Sequence, residues 1–168
     1  MRGTSDRLPS SDPFQRRAIL VGECPGPGIP EEKAHPLFPL PERSSGGRLL
    51  RVIGWGRNEY LRRFDRSNLF RSHQPKWSAD SARDSADALV ESVLEGGGLV
   101  DFVLLGARVS AAFQREDFDP MVSLGFWGGT ATVVPHPSGL NRWYNEPVNR
   151  AAVRRLFAGF REGRSRSP

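Results

Sequence analysis

Four short apolar runs, separated by stretches of helical periodicity, constrain this chain more than any other feature. The runs are AILVGE (18–23), SNLF (67–70), DFVLLG (101–106) and TATVVP (130–135). Each lies between turn signals and is too short for a buried helix. That is the pattern of strands covered on both faces in a parallel sheet. Between them, Leu49, Leu50 and Ile53 form one helical stripe, and Tyr60, Leu61 and Phe64 another. Ala82, Ala86, Leu89, Val90 and Val93 recur at intervals of three and four, as do Val153, Leu156, Phe157 and Phe160. Gly96-Gly97-Gly98 is a stop before the third strand. The alternation predicts an α/β fold: a three-layer α/β/α sandwich around a central, mostly parallel, four-stranded sheet.

With 168 residues the chain suits one compact domain. We place it at 14–161, after a loose polar segment at 1–13 and before a disordered tail at 162–168. The formal charge is +5, from 24 Lys+Arg against 19 Asp+Glu, and only Lys33 and Lys76 are lysines. Arginine binds phosphate in bidentate fashion, so the balance is compatible with nucleic acid. On charge alone, a solvated arginine-rich surface is the favoured reading. Cys24 is the single cysteine, which excludes an internal disulfide, a four-cysteine zinc site and a cysteine-ligated iron–sulfur cluster. It fits a reducing cytoplasm. No apolar run approaches a membrane span.

In open parallel sheets, ligands bind beyond the carboxyl ends of the strands. The segments expected there are GECPGPGIP, NLFRSHQPKW, GARVS and HPSGLNRWYN, and polar and unusual residues concentrate in them. GECPGPG lacks the Lys-Ser or Lys-Thr of a phosphate loop, and Glu31 stands where a dinucleotide fingerprint needs glycine. A tight turn explains the glycines but not Glu23, a carboxylate at the end of a buried strand. His136 is pinned between Pro135 and Pro137; by itself it reads as a buried histidine satisfied by backbone. His35 and His73 lie in unrelated loops, so a metal site is not indicated. No G-x-S-x-G elbow is present for a serine hydrolase.

GECPG after the first strand and HPSGLN after the last together resemble the two signature motifs of the uracil-DNA glycosylase superfamily. Asn68 stands where that superfamily places a base-reading asparagine. PLPERSSGGRLL and HPSGLNRWYN are similar to segments of small bacterial and phage glycosylase-like proteins, and a phage-defence glycosylase acting on hypermodified DNA is a candidate within that resemblance. The resemblance spans roughly residues 18–157. It departs from the family at Cys24, where some branches carry a water-activating aspartate, and it lacks the four cysteines of the iron–sulfur branch.

The resemblance implies a monofunctional DNA glycosylase that flips a base out of duplex DNA and hydrolyses its N-glycosidic bond, leaving an abasic site. It assigns His136 as donor to the departing pyrimidine and Glu23 as the carboxylate that positions water. Gly22, Cys24, Gly26, Phe38 and Asn68 would form the base pocket, with Phe38 stacking. Ser45, Ser138, Gly139, Asn141 and Arg142 would hold DNA, and Leu140 would fill the gap left in the stack. No metal or cofactor is implied, no lysine is placed for a Schiff base, and a monomer acting in a bacterial or phage-infected cytoplasm is expected. Strict uracil enzymes carry a tyrosine where this chain has Gly26. An open C5 side is therefore expected, with Asn141, Tyr144, Asn145 and Glu146 facing a hydroxymethyl or glucosyl substituent. Uracil repair, a non-catalytic DNA-binding module and a base-modifying transferase are the alternatives.

Overall fold

The computed structural model describes residues 17–114 and 120–161. The segments expected to be loose, 1–13 and 162–168, lie outside the described residues. Five strands form one sheet: β1 (Arg17–Gly22), β2 (Phe64–Asn68), β3 (Val100–Leu105), β4 (Ser123–Phe126) and β5 (Gly129–Val134). Their order is β2-β1-β3-β5-β4, parallel except for β4, which runs antiparallel to β5. The helices are α1 (Ser45–Ile53), α2 (Arg57–Arg63), α3 (Ala79–Glu95), α4 (Ala107–Ala112) and α5 (Pro147–Arg161).

Successive strand residues point to opposite faces, and the core divides accordingly. Ile19, Val21, Phe102, Leu104 and Val133 pack on one face against Ala82, Ala86 and Val90 of α3 and Val109 of α4. Ala18, Leu20, Val103, Leu105 and Val134 pack on the other against Leu49 and Ile53 of α1 and Val153, Leu156 and Phe157 of α5. This is the expected three-layer α/β/α sandwich, with five strands rather than four.

Three local expectations change. The second strand is Phe64–Asn68, not 67–70. Its sequence FDRSN is polar because β2 is an edge strand, and Arg17 of β1 pairs with Asp65 across it. Phe64 therefore begins a strand instead of extending the helical stripe of Tyr60 and Leu61. It packs its ring on Trp55, Phe157 and Phe160. The fifth strand, β4, joins β5 through Trp127-Gly128, both with positive φ (47° and 80°), the geometry of a two-residue hairpin turn. Finally, GARVS opens the short helix α4 rather than forming a loop.

Candidate active site

The carboxyl ends of β1, β2 and β5 bring Glu23, Asn68 and His136 to one end of the sheet. Gly22 and Asn68 are register partners, and the ladder continues past the strands: Leu69 N–H donates to Gly22 O and Phe70 N–H to Glu23 O, both at 3.0 Å. A Cβ on Gly22 would lie 2.6 Å from Asn68 Oδ1. Glycine at that position leaves room for the Asn68 amide above the strand end.

Glu23, Asn68 and His136 line one cavity of about 170 Å³ together with Gly22, Cys24, Gly26, Phe38 and Ser45. All eight of the cavity residues expected from the sequence as catalytic, base-binding or (for Ser45) DNA-binding are thus in its wall. Phe38 is held from several sides. Its N–H donates to His35 O (3.2 Å), its carbonyl accepts from Ser44 Oγ (3.1 Å), and its ring tilts against His35. The preceding Leu37 has φ 50°, a costly conformation for a branched residue. The buried Tyr60 hydroxyl donates to Leu37 O at 2.9 Å and fixes that turn. A Cβ on Gly46 would fall 2.2 Å from Leu37 O, so α1 presses its backbone directly onto the turn.

Beyond Asn68 and Pro25 lies a second cavity, about 660 Å³, lined also by Glu31, Glu32, Ser67, Phe70 and Arg71. Pro25, Ala34 and Asn68 belong to both walls. Beside Gly26 the space is open: a Cβ there would meet only Ile29 Cδ1, at 3.6 Å. Trp77 packs on Phe70 and under Arg108.

The loop after β5 is tied by its own groups. Asn141 Nδ2 donates to His136 O (2.9 Å), and Asn141 Oδ1 accepts from Trp143 N–H (3.1 Å). The Tyr144 hydroxyl donates to Pro135 O, and burial pushes that phenol's pKa up. Asn141 and Tyr144 thus brace the loop, and neither they nor Asn145 and Glu146 line either cavity. The second cavity, which shares Pro25 with the first, is the one lined by Glu31, Glu32, Ser67 and Arg71. Ser138, Gly139, Leu140 and Arg142 sit outside the cavity wall on this loop. Leu140 is 94% exposed, against none for the core leucines Leu20 and Leu49.

Burial holds the His136 imidazole below its ordinary value of 6.5; the Glu23 carboxylate opposes that shift and Arg48 reinforces it. The ring is therefore neutral near pH 7, still able to donate one N–H. Glu23 is itself faced by Arg108, 3.5 Å away. Cys24 contributes a thiol, not a second carboxylate.

Several residues at this end were not legible in the sequence. His35 and His73 are not in unrelated loops: His35 lines the cavity, and His73 Nδ1 lies 3.3 Å from Pro25 O. Lys33, in a short 3-10 turn (Glu31–Lys33), also lines the cavity, on its exposed side. Arg48 and Arg108 approach from α1 and α4. No three His, Cys, Asp or Glu side chains among the described residues are grouped to hold a metal ion, and none of the described helices is long and apolar enough to cross a membrane.

No protein-family model matches this chain, and no curated protein matches it.

Proposed function

We propose that the protein is a DNA glycosylase of the uracil-DNA glycosylase type, hydrolysing the N-glycosidic bond of a flipped pyrimidine. The observation that carries this reading is the convergence of Glu23, Asn68 and His136 on one small cavity, beside a loop that displays Leu140 to solvent. A cavity of about 170 Å³ is well below the roughly 300–1,000 Å³ of drug-sized ligand sites. It suits one planar ring. Phe38 offers a face for stacking, and Asn68 offers an acceptor and donors for a base edge.

Bond cleavage leaves positive charge on the sugar and negative charge on the departing base. A neutral His136 donates its N–H to the pyrimidine O2 as that charge develops, and its fixed position makes the donor preorganised. Glu23 orients the attacking water and favours the cationic sugar. With a thiol at Cys24, this work falls to Glu23. Leu140 enters the stack in place of the extruded base. Lys33 does not change the monofunctional assignment. Amines that form Schiff bases are activated by desolvation or a neighbouring cation, and Lys33 is exposed.

The substrate we propose is a pyrimidine carrying a hydroxymethyl or glucosylated C5 group, as in modified phage DNA, which makes the role one of phage defence. The open space at Gly26 and the adjoining cavity, with Glu31, Glu32, Ser67 and Arg71 as hydrogen-bonding groups, support that choice. The test is a panel of duplexes carrying uracil, thymine, 5-hydroxymethylcytosine or its glucosylated form, treated with alkali after incubation. Strand breaks are expected only at the C5-modified bases, with no enzyme–DNA adduct trapped by borohydride. Efficient uracil excision with every modified base ignored overturns the open-pocket argument and leaves uracil repair. Tight binding without any break favours the non-catalytic module, the reading to which Cys24 points.

A further inference from the structure

We infer that Arg48 is a DNA-phosphate anchor that also positions the loop carrying His136 and Leu140, an inference that rests on the glycosylase reading. Arg48 projects from α1, outside both signature motifs. Its guanidinium packs against Gly139: a Cβ on that glycine would lie 2.8 Å from one terminal nitrogen, 2.9 Å from the guanidinium carbon and 3.0 Å from the other nitrogen. Gly139 is exposed, so this cation lies directly beneath backbone that faces solvent.

Arg17, Arg51, Arg71, Arg108 and Arg161 each face a carboxylate, and Arg150 and Arg154 donate to main-chain carbonyls. Among the described residues Arg48 has no carboxylate partner and is half-buried. A partly desolvated guanidinium without a counterion is costly, and the planar fork suits a phosphate bidentately. If Leu140 fills a gap in the stack, the backbone flanking that gap must cross Ser138 and Gly139. The group waiting there is Arg48.

The same charge bears on His136. The charged groups facing its ring are Glu23 from the end of β1 and Arg48 from α1; the turn after β3 presents only the backbone of Gly106, whose Cβ would lie 3.0 Å from that of His136. A prop without electrostatic function would leave the titration of His136 unchanged.

The experiment measures binding of the full chain to a short duplex carrying a tetrahydrofuran abasic analogue, across a salt series, so that no knowledge of the excised base is needed. Arg48→Ala is expected to bind about tenfold more weakly at low salt and to lower the log–log salt slope by about 0.9, the loss of one phosphate. Arg48→Lys restores the slope. Gly139→Ala keeps the charge but displaces the flexible guanidinium end, and is expected to weaken binding without unfolding the chain. The His136 titration, followed by NMR, moves upward in Arg48→Ala and not in Arg48→Lys. An Arg48→Ala slope equal to the wild-type value overturns the anchor while leaving the glycosylase reading intact. Wild-type protein that binds no duplex at any salt overturns that reading itself.

Discussion

Two loops meet at the carboxyl end of the sheet, and they are built in opposite ways. The long loop between β1 and α1 is held from outside. Tyr60 grips Leu37 O, Ser44 grips Phe38 O, and the glycines of α1 let backbone press on backbone. Its side chains Glu23, Cys24, His35 and Phe38 line the cavity. The loop after β5 is held from within, by Asn141 bridging His136 and Trp143 and by Tyr144 on Pro135. Those bonds occupy Asn141 and Tyr144, while Leu140 stays 94% exposed. The first loop makes a receptacle, and the second makes a pedestal. The difference teaches that polar residues in a candidate binding loop can be structural, while the apolar residue beside them is left exposed.

The contrast can be broken from either side. The largest effect is expected at the junction of the two loops. His136→Ala should lower single-turnover cleavage by about 10²–10³ with DNA binding nearly intact, the usual loss for one preorganised donor. Wild-type rates in that variant would remove His136 from the chemistry. On the pedestal, Leu140→Ala should weaken duplex binding by about 2 kcal/mol, roughly thirtyfold, and single-stranded binding little. Equal losses on both substrates would mean that no stack is being filled.

In the receptacle, Tyr60→Phe deletes the buried hydrogen bond to Leu37 O and should cost about 1–3 kcal/mol, because the carbonyl is left unpaired. It is read from the urea midpoint, with base excision falling as Phe38 loosens. An unchanged midpoint would show that the Leu37 turn holds itself. The smallest effect is on pH. Because burial depresses the His136 pKa in the folded protein, stability is full above the unfolded value of about 6.5 and is lost as pH falls below it. Comparing urea midpoints of wild type and His136→Gln between about pH 7 and about pH 5.5 isolates that loss. Parallel pH dependence in the two proteins would mean that His136 is not depressed.

The layers and most elements were readable in the sequence because burial leaves a pattern. Continuous apolar runs at β1, β3 and β5, and three-and-four spacing in α3 and α5, follow from which faces each element must hide. The edge strands were harder for the same reason. Half-exposed β2 carries FDRSN, and β4 is four residues ending at a tight turn. Neither needs an apolar run. Of the site, Glu23 was legible as a carboxylate ending a buried strand, while Asn68 and His136 were picked out by the resemblance of the segments around them; the three meet because ends of parallel strands gather at one edge. The sequence by itself thus determined the strand-and-helix alternation and which residue types crown the strands. Only the tertiary structure decided that Lys33, His35, His73, Arg48 and Arg108 approach the same place. Their positions follow from the strand order β2-β1-β3-β5-β4, from the close backbone contact at Gly46 and from the packing of the Arg48 side chain on Gly139. Such meetings join residues far apart in the chain, and no local periodicity records them.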